Sequence, residues 1–554
     1  MQKIRLMALG GLDEDGKNCY LIELDNDIFV VETGLKYPNE SEQLGIECII
    51  PDFSYLIENK DRVKAVFISH GHDDNMKALS YLLKEIDVDV YATPLTAKLI
   101  EEELLKHGIR NKRVRPLKRQ DTIRVAGHTI YSFPLMQSIA DGIGLAFKTD
   151  YGLIVYASEF IFDYDFTNEA FSLDINVLSD IGQSNVLALL AESVGSTRSG
   201  YTTPKHRITE HIEHYFENNS SRILITLYKQ NLFRIIEILE LAHRYKRRVF
   251  FYNDEHVRLL KQVEDLGYYK LPVNILVSKE EFSNDMDDVI VVISGSGNKV
   301  FKLMNNIAIG EDSIIELREE DMVIIASPIV PGTEKEASAM ENDLYRAGVT
   351  IVKLSPAEIL SMHSSIEDLK MILSLIKPKY YIPVKGDFAA LIGNAEIATA
   401  MGLTPDRIVI LDNGQFALFE NGKLVSVRET IELNDVSIDG TDSDIAGSVL
   451  KDRGTLSTDG IIVVGVVLDH GSKALVGGPD IQSRGVIYLK DADHILEQIS
   501  EILLTTIADA VKENRYENLP IRQEAREKIS RYILRETGKK PMILPVIVEI
   551  NTGE

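Results

Sequence analysis

Val63, Ala65, Val66, Phe67 and Ile68 form an apolar run that breaks abruptly into Ser69-His70-Gly71-His72-Asp73-Asp74-Asn75. A run of that length and composition reads as a buried strand. His70, His72 and Asp74 then occupy alternate positions just beyond it, so their side chains emerge together where the strand gives way to a loop. Two neutral imidazoles and a carboxylate on one side of a turn suit a zinc- or manganese-type cation. The pattern therefore ties the fold to a buried strand whose end carries a metal-type turn. A further strong ligand is expected directly after Asp74, and Asn75 stands there instead. Whether such a site still holds an ion is a separate matter, open at this point.

At 554 residues the chain is long enough for three or four domains with cores of their own. Its 60 basic and 85 acidic residues give a net charge of −25, which favours solubility and argues against a general nucleic-acid coat. A local basic channel is still compatible with that balance. Cys19 and Cys48 are the only cysteines, as expected of a reduced, cytoplasmic protein. Met1–Leu6 lacks a signal-peptide core, and no apolar run is long enough to span a bilayer. No membrane partner is expected.

Short apolar runs dominate residues 1–205, among them Cys19–Leu24, Ile28–Glu32, Gly152–Tyr156 and Val186–Leu190, with helical stretches at Met76–Glu85 and Thr96–His107. Over 206–354 the rhythm becomes regular strand–helix alternation, which predicts a doubly wound α/β domain. Residues 355–430 return to the first style, and 431–450, with the polar stretch Asn434–Asp444, reads as a linker. In 451–554, strands near Ile461–Leu468 and Gly485–Lys490 precede helices His494–Asn514 and Ile521–Thr537, and Met542–Ile550 closes the chain as a strand.

Several longer strings carry a family resemblance. Gly10-Gly11-Leu12-Asp13-Glu14-Asp15-Gly16-Lys17-Asn18, Val30–Gly34, Ile50–Leu56 and the His70–Asn75 turn resemble the ribonuclease J family. The likeness continues through Ser294-Gly295-Ser296, Leu344–Gly348, Leu375–Val384 and Gly478–Gly485, so it spans essentially the whole chain. The resemblance implies an α/β fold in which a metallo-β-lactamase αββα sandwich (1–205 and 355–430) carries an inserted β-CASP domain (206–354) and a small α/β C-terminal domain (451–554) for oligomerisation. It also implies a two-metal phosphodiesterase that degrades RNA from a 5′-monophosphate end and sometimes cuts internally.

The departures from the family pattern lie where the metals would be. Asn75 and Gln137 replace ligand histidines, Glu159 replaces the metal-bridging aspartate, and Lys385 replaces the last ligand histidine. Glu32 replaces the early strand-end aspartate, and Glu192 takes the position of the acidic residue before Ser. The family's two-histidine run becomes Ile359-Leu360-Ser361-Met362-His363-Ser364, which keeps only the second histidine. Amide oxygens are poor exchanges for imidazole at a zinc or manganese site. Aspartate to glutamate moves the oxygens by about 1.5 Å, where ligand distances must hold to about 0.2 Å. An ammonium about 4 Å from a dication would be repelled by roughly 8 kcal/mol at an effective dielectric near 20. His70, His72, Asp74 and Glu159 are thus a weakened ligand set for Mn or Zn, or for no ion. Lys385 either fills the second-metal position, pairing with Asp74 and Glu159, or points to solvent.

RNA-contact positions are better kept. As the resemblance implies, Asn231 and Arg234, the turn Ser294-Gly295-Ser296 and the segment Ile359–His363 would contact RNA or its phosphates, with Asp74 and His363 as catalytic groups. Taken without the resemblance, the Ser294-Gly295-Ser296 string reads as only a turn. The basic runs Arg110–Arg119 and Arg244–Arg248 line an RNA path or are solvated helix faces.

The expectation is an RNA-processing and decay protein (rRNA maturation, mRNA decay) with weak 5′-to-3′ exonuclease and endonuclease activity. It would bind RNA bearing a 5′-monophosphate and act mainly as a structural partner, as a homodimer or in a hetero-oligomer with an active paralogue. A non-enzymatic RNA-binding scaffold and a competent single-metal ribonuclease are the alternatives.

Overall fold

The computed structural model describes residues 2–38, 45–110, 112, 114–165, 168–329, 333–440, 442–443, 447–486 and 493–551. The chain divides into two compact units, Met1–Tyr37 with Ile49–Val436 and Pro38–Cys48 with Ser437–Glu554.

In the first unit, two sheets pack face to face. The eight-stranded sheet runs in the order Lys423–Ser426, Phe416–Glu420, Lys3–Gly10, Cys19–Leu24, Asp27–Val31, Val63–Ile68, Asp89–Ala92, Val114–Pro116. The six-stranded sheet runs Tyr380–Val384, Val186–Glu192, Gly152–Ala157, Ile143–Thr149, His128–Pro134, Asp121–Val125. Leu6, Phe29 and Phe67 from the first sheet meet Phe147, Tyr156 and Ile382 from the second in one core. Helices Ile175–Gln183, Ile366–Ile376 and Phe388–Ala400 cover the outer face of the six-stranded sheet, and Pro94–Lys106 packs on the other. This is the αββα sandwich. Val63–Ile68 is apolar nearly throughout because it pairs in parallel on both sides and is covered on both faces.

A third sheet interrupts the sandwich in sequence. Its six strands, Leu276–Val277, Arg248–Phe251, Val289–Gly295, Ile223–Tyr228, Met322–Ile325 and Thr350–Lys353, are all parallel. The strand–helix rhythm explains this, since each crossover helix buries its apolar side on one face of the sheet. The sandwich strands Tyr380–Val384 and Phe416–Glu420 come from the chain beyond this insertion, so the site they border is assembled from both sides of it.

The second unit has a sheet ordered Leu475–Arg484, Ile461–Asp469, Met542–Ile550, with helices Asp493–Lys512 and Asn518–Thr537 on one face. The middle strand alternates strictly, with Ile462, Val464, Val466 and Leu468 buried. The second strand thus lies ahead of the expected Gly485–Lys490, and 487–490 fall outside the described residues. Among the described residues, no helix is long and apolar enough to cross a membrane.

Candidate metal and phosphate site

The end of strand Val63–Ile68 delivers His70 into the interior, and His72 sits at the start of the one-turn helix Asp73–Met76. Glu159 reaches them from two residues beyond strand Gly152–Ala157. His70 Nε2 lies 3.0 Å from His72 Nδ1 and 3.4 Å from Glu159 Oε1, and His72 Nδ1 lies 3.1 Å from Glu159 Oε2. Donors bound at about 2.1 Å around a tetrahedral ion stand roughly 3.4 Å apart, and in this triangle one ligand atom from each of the three residues lies within 4.8 Å of the others. Among the described residues it is the group of His, Cys, Asp and Glu suited to holding a metal. Burial pushes the His70 pKa down to about 4, which keeps its ring neutral as a ligand must be.

Lys385 lies beyond this triangle. Of the two positions open to it from the sequence, the structure shows the buried one: its side chain is 3% exposed, with Nζ 2.7 Å from Asp74 Oδ2 and bonded to Glu159 Oε1. Burial alone would discharge the amine, but Asp74 and Glu159 outweigh it and raise its pKa well above the ordinary lysine value. Burial likewise opposes ionisation of the two carboxylates, and Lys385 reverses that for both. Asp74, grouped with the histidines from sequence, is therefore held by a cation of the protein's own.

Asn75 is fixed as a donor. Asn18 Nδ2 donates to Asn75 Oδ1 at 2.9 Å, which turns the Asn75 amide nitrogen to within 2.8 Å of His70 Nε2. Tyr20 in turn donates to Asn18 Oδ1 at 3.1 Å, setting the direction of the whole chain of bonds. Gln137 is fully buried, and neither of its amide atoms has a hydrogen-bond partner among the described residues. Glu32 lies under the turn, accepting from the Ser69 backbone N–H at 3.3 Å, and burial pushes its pKa up to about 8.

On the other side, His363 Nδ1 is 2.6 Å from Glu192 Oε2. Burial disfavours the charged ring, but Glu192 and Glu159 outweigh it and raise the His363 pKa. Glu192 also accepts from the backbone N–H groups of Phe160 and Ser364, at 3.1 and 2.9 Å. Two residues here were not singled out from the sequence. Arg198 donates to Ser361 Oγ at 2.8 Å, and Asp368 accepts the N–H groups of Phe162, Thr202 and Ser365. Neither belongs to a run or spacing that marks it; only the meeting of three loops does.

Several of the expected RNA-contact residues have partners within the protein. Asn231 Oδ1 caps helix Leu232–Arg244, and the Arg234 side chain is 3% exposed, donating to the carbonyls of Leu360 and His206. Both residues are committed to internal bonds. Ile359 and Met362 are buried in the apolar core, and the Leu360 N–H is bonded to the Lys205 carbonyl. Ser361 and His363 alone of that segment keep partly exposed polar side chains. Ser294 is buried with Oγ 3.3 Å from His256 Nδ1, and Gly295 is required because a Cβ there would meet the Val300 nitrogen. Ser296 is half-buried just ahead of helix Asn298–Ala308. The basic runs are largely consumed too. Arg115 pairs with Asp89, Arg244 with Glu213 and Arg248 with Asp288, while Arg119 and Arg247 bind backbone carbonyls. Residues 111 and 113 of the first run lie outside those described.

Comparison with known proteins bears on the same regions. Three family models match: the metallo-β-lactamase superfamily over 12–136, the ribonuclease J β-CASP domain over 220–344 and the ribonuclease J C-terminal domain over 448–550. Proteins named ribonuclease J 2 from Staphylococcus epidermidis and Staphylococcus aureus are 32% and 33% identical over 550 and 551 residues, covering 99% of this chain and 98% of theirs. The chain belongs to the ribonuclease J family. A crystal structure of a protein of unknown function from Enterococcus faecalis V583 matches with a TM-score of 0.53 and 14% identity, covering 75% of this chain and all of that one. At that identity the likeness concerns the fold alone.

A two-ion ribonuclease J centre does not fit these residues, because the Lys385 ammonium already joins Asp74 and Glu159. One ligand atom each of His70, His72 and Glu159 lies close enough for a single ion, with Glu159 Oε2 toward His72 and Oε1 on Lys385; His70 Nε2 would exchange its bond from Asn75 for that ion.

Proposed function

We propose that this ribonuclease J-family protein works in RNA processing and decay, chiefly as an RNA-binding and structural partner, with a centre reduced to one weakly held divalent ion. The observation that carries this reading is Lys385 between Asp74 and Glu159. Phosphodiester hydrolysis by two ions needs one to activate water and one to steady the leaving oxygen, and here a fixed ammonium takes the place of the second. An ammonium can neutralise charge but has no open coordination position for water or phosphate. A manganese or zinc ion bound by His70, His72 and Glu159 would supply Lewis acidity at one side of the scissile bond.

The protein's own groups support slow chemistry. Glu192 orients His363 through Nδ1 and favours its charged form, which suits proton donation to a leaving oxygen. Arg198 and Ser361 beside it supply donors for a phosphate. Asp74, held by Lys385, is left a weaker base for orienting water.

For partners, the reading is RNA with a 5′-monophosphate and a homodimer or hetero-oligomer with an active paralogue. In favour of assembly, the sheet of the second unit exposes Leu544, Val546, Val548 and Ile550 on the face opposite its helices. The deciding experiment is degradation of 5′-monophosphorylated RNA in manganese by the wild type and by His72→Ala. Slow degradation by the wild type, lost in the variant, supports the reading. Rapid turnover refutes the weakened centre, and equal rates in both assign the signal to a contaminant.

A further inference from the structure

Asn18 and Asn75 are both fully buried beside His70. Asn18 stands just ahead of strand Cys19–Leu24, and Asn75 belongs to the one-turn helix Asp73–Met76. The direction of their bonds is fixed from outside the pair. Asn18 Nδ2 donates to Asp74 Oδ2 at 3.0 Å, and the Tyr20 hydroxyl donates to Asn18 Oδ1 at 3.1 Å. An amide nitrogen carries two hydrogens, and the second goes to Asn75 Oδ1 at 2.9 Å. With its oxygen taken, Asn75 presents its nitrogen to His70 Nε2 at 2.8 Å.

His70 Nε2 accepts in this bond, which leaves the proton of the neutral ring on Nδ1, 2.7 Å from Ser69 Oγ. A histidine that binds a metal through Nε2 needs that tautomer, with its far nitrogen held by a hydrogen bond. The ring is therefore set up as a ligand, yet its lone pair is engaged by the Asn75 amide. An ion and an N–H cannot share that lone pair. The one atom of Asn75 that could serve a cation, its carbonyl oxygen, is turned toward Asn18. Asp74 Oδ2, which directs Asn18, also receives Lys385 at 2.7 Å, so a single chain of bonds runs from the ammonium to the histidine.

We propose that Asn18 and Asn75 form a lock on the one-ion site: Asn18 keeps the Asn75 amide nitrogen on His70 Nε2, and this bond sets how weakly the site holds a divalent cation. The inference rests on the one-ion reading above and names the residues that limit its affinity. Lys385 excludes a second ion, whereas the two asparagines oppose the first. An ion must break one neutral hydrogen bond to enter, so its affinity is lowered rather than abolished. Released from Asn18, Asn75 is free to turn its amide over and offer Oδ1 as a further ligand.

The test is equilibrium dialysis of the full-length protein against manganese, without RNA. Asn75→Ala should bind the ion roughly 5-fold more tightly than the wild type, because one neutral hydrogen bond no longer competes. Asn18→Ala should gain at least as much. Asn18→Ala/Asn75→Ala should match Asn75→Ala alone, because both substitutions act through one bond. Should Asn18→Ala fail to fold, Asn75→Ala carries the test by itself. Equal affinity in the wild type and Asn75→Ala, or weaker binding in the variant, overturns the lock and leaves the one-ion reading standing. Binding by Asn75→Ala where the wild type takes up no ion supports the lock and refutes the one-ion reading of the wild type. If neither binds manganese, both fail.

Discussion

The Nζ of Lys385 lies 2.7 Å from Oδ2 of Asp74, although 310 residues separate them in sequence. Residue 385 directly follows a strand of the six-stranded sheet and residue 74 follows a strand of the eight-stranded one, so the bond ties the two halves of the sandwich together at the site. With Glu159 as second partner, the ammonium compensates two carboxylates that would otherwise face each other inside the protein.

Lys385→Ala should therefore lower stability markedly, since removing one partner from a buried ion pair typically costs about 3–5 kcal/mol. Thermal melting should show the loss, and manganese should restore more of the melting temperature in the variant than it adds to the wild type. An unchanged melting temperature would show that the ion pair is unimportant.

Metal stoichiometry separates the one-ion and two-ion readings. Elemental analysis after equilibration with manganese should give at most one ion per chain for the wild type and none for His72→Ala. Asn75→His/Lys385→His should gain ions, because it supplies imidazoles at both replaced positions. Two ions on the wild type would contradict the site geometry.

Glu32 makes stability depend on pH. Burial raises its pKa to about 8 from an ordinary value of 4.5, so the folded state holds a proton that the unfolded chain releases. Its contribution is fully present below about pH 4.5 and is lost as pH rises through about 8. Glu32→Gln should raise the melting temperature by about 2 °C or more at pH 8.5, and at pH 4 it should bring no gain. Melting curves across that range would check the sign, and parallel curves for both proteins would reject it.

Arg234 offers a contrast between a contact and a brace. Its guanidinium bonds to backbone carbonyls from two other segments. Arg234→Ala should thus reduce stability by about 1–3 kcal/mol while leaving RNA affinity, measured below the new melting temperature, within twofold. A large affinity loss without destabilisation would restore it as an RNA contact.

The exposed strand face of the second unit should matter for assembly. Val546→Asp/Val548→Asp changes two side chains on that face. Sedimentation should show a smaller species than the wild type at equal concentration. Identical sedimentation would place the interface elsewhere.

Much of this was legible in the chain itself. The buried strand before His70, the parallel sheet over 223–353 and the strict alternation of Ile461–Asp469 each follow from a local repeat of apolar residues. The departures from the family resemblance at Asn75, Gln137, Glu159 and Lys385 were also visible, because their neighbours kept a recognisable order. The internal partners of Asn231 and Arg234 were not legible, because a residue's type says what it can bond to, not which partner reaches it first.

Sequence by itself placed Asn75 where a further ligand was expected and Lys385 where an imidazole was expected. Only the tertiary structure decided that this lysine points inward to join Asp74 and Glu159, that Asn18 turns Asn75 into a donor toward His70, and that Asp368 gathers three loops around His363. Local pattern is set by neighbours along the chain, whereas the partner of a buried charge is set by which strand ends the folded sheets bring together.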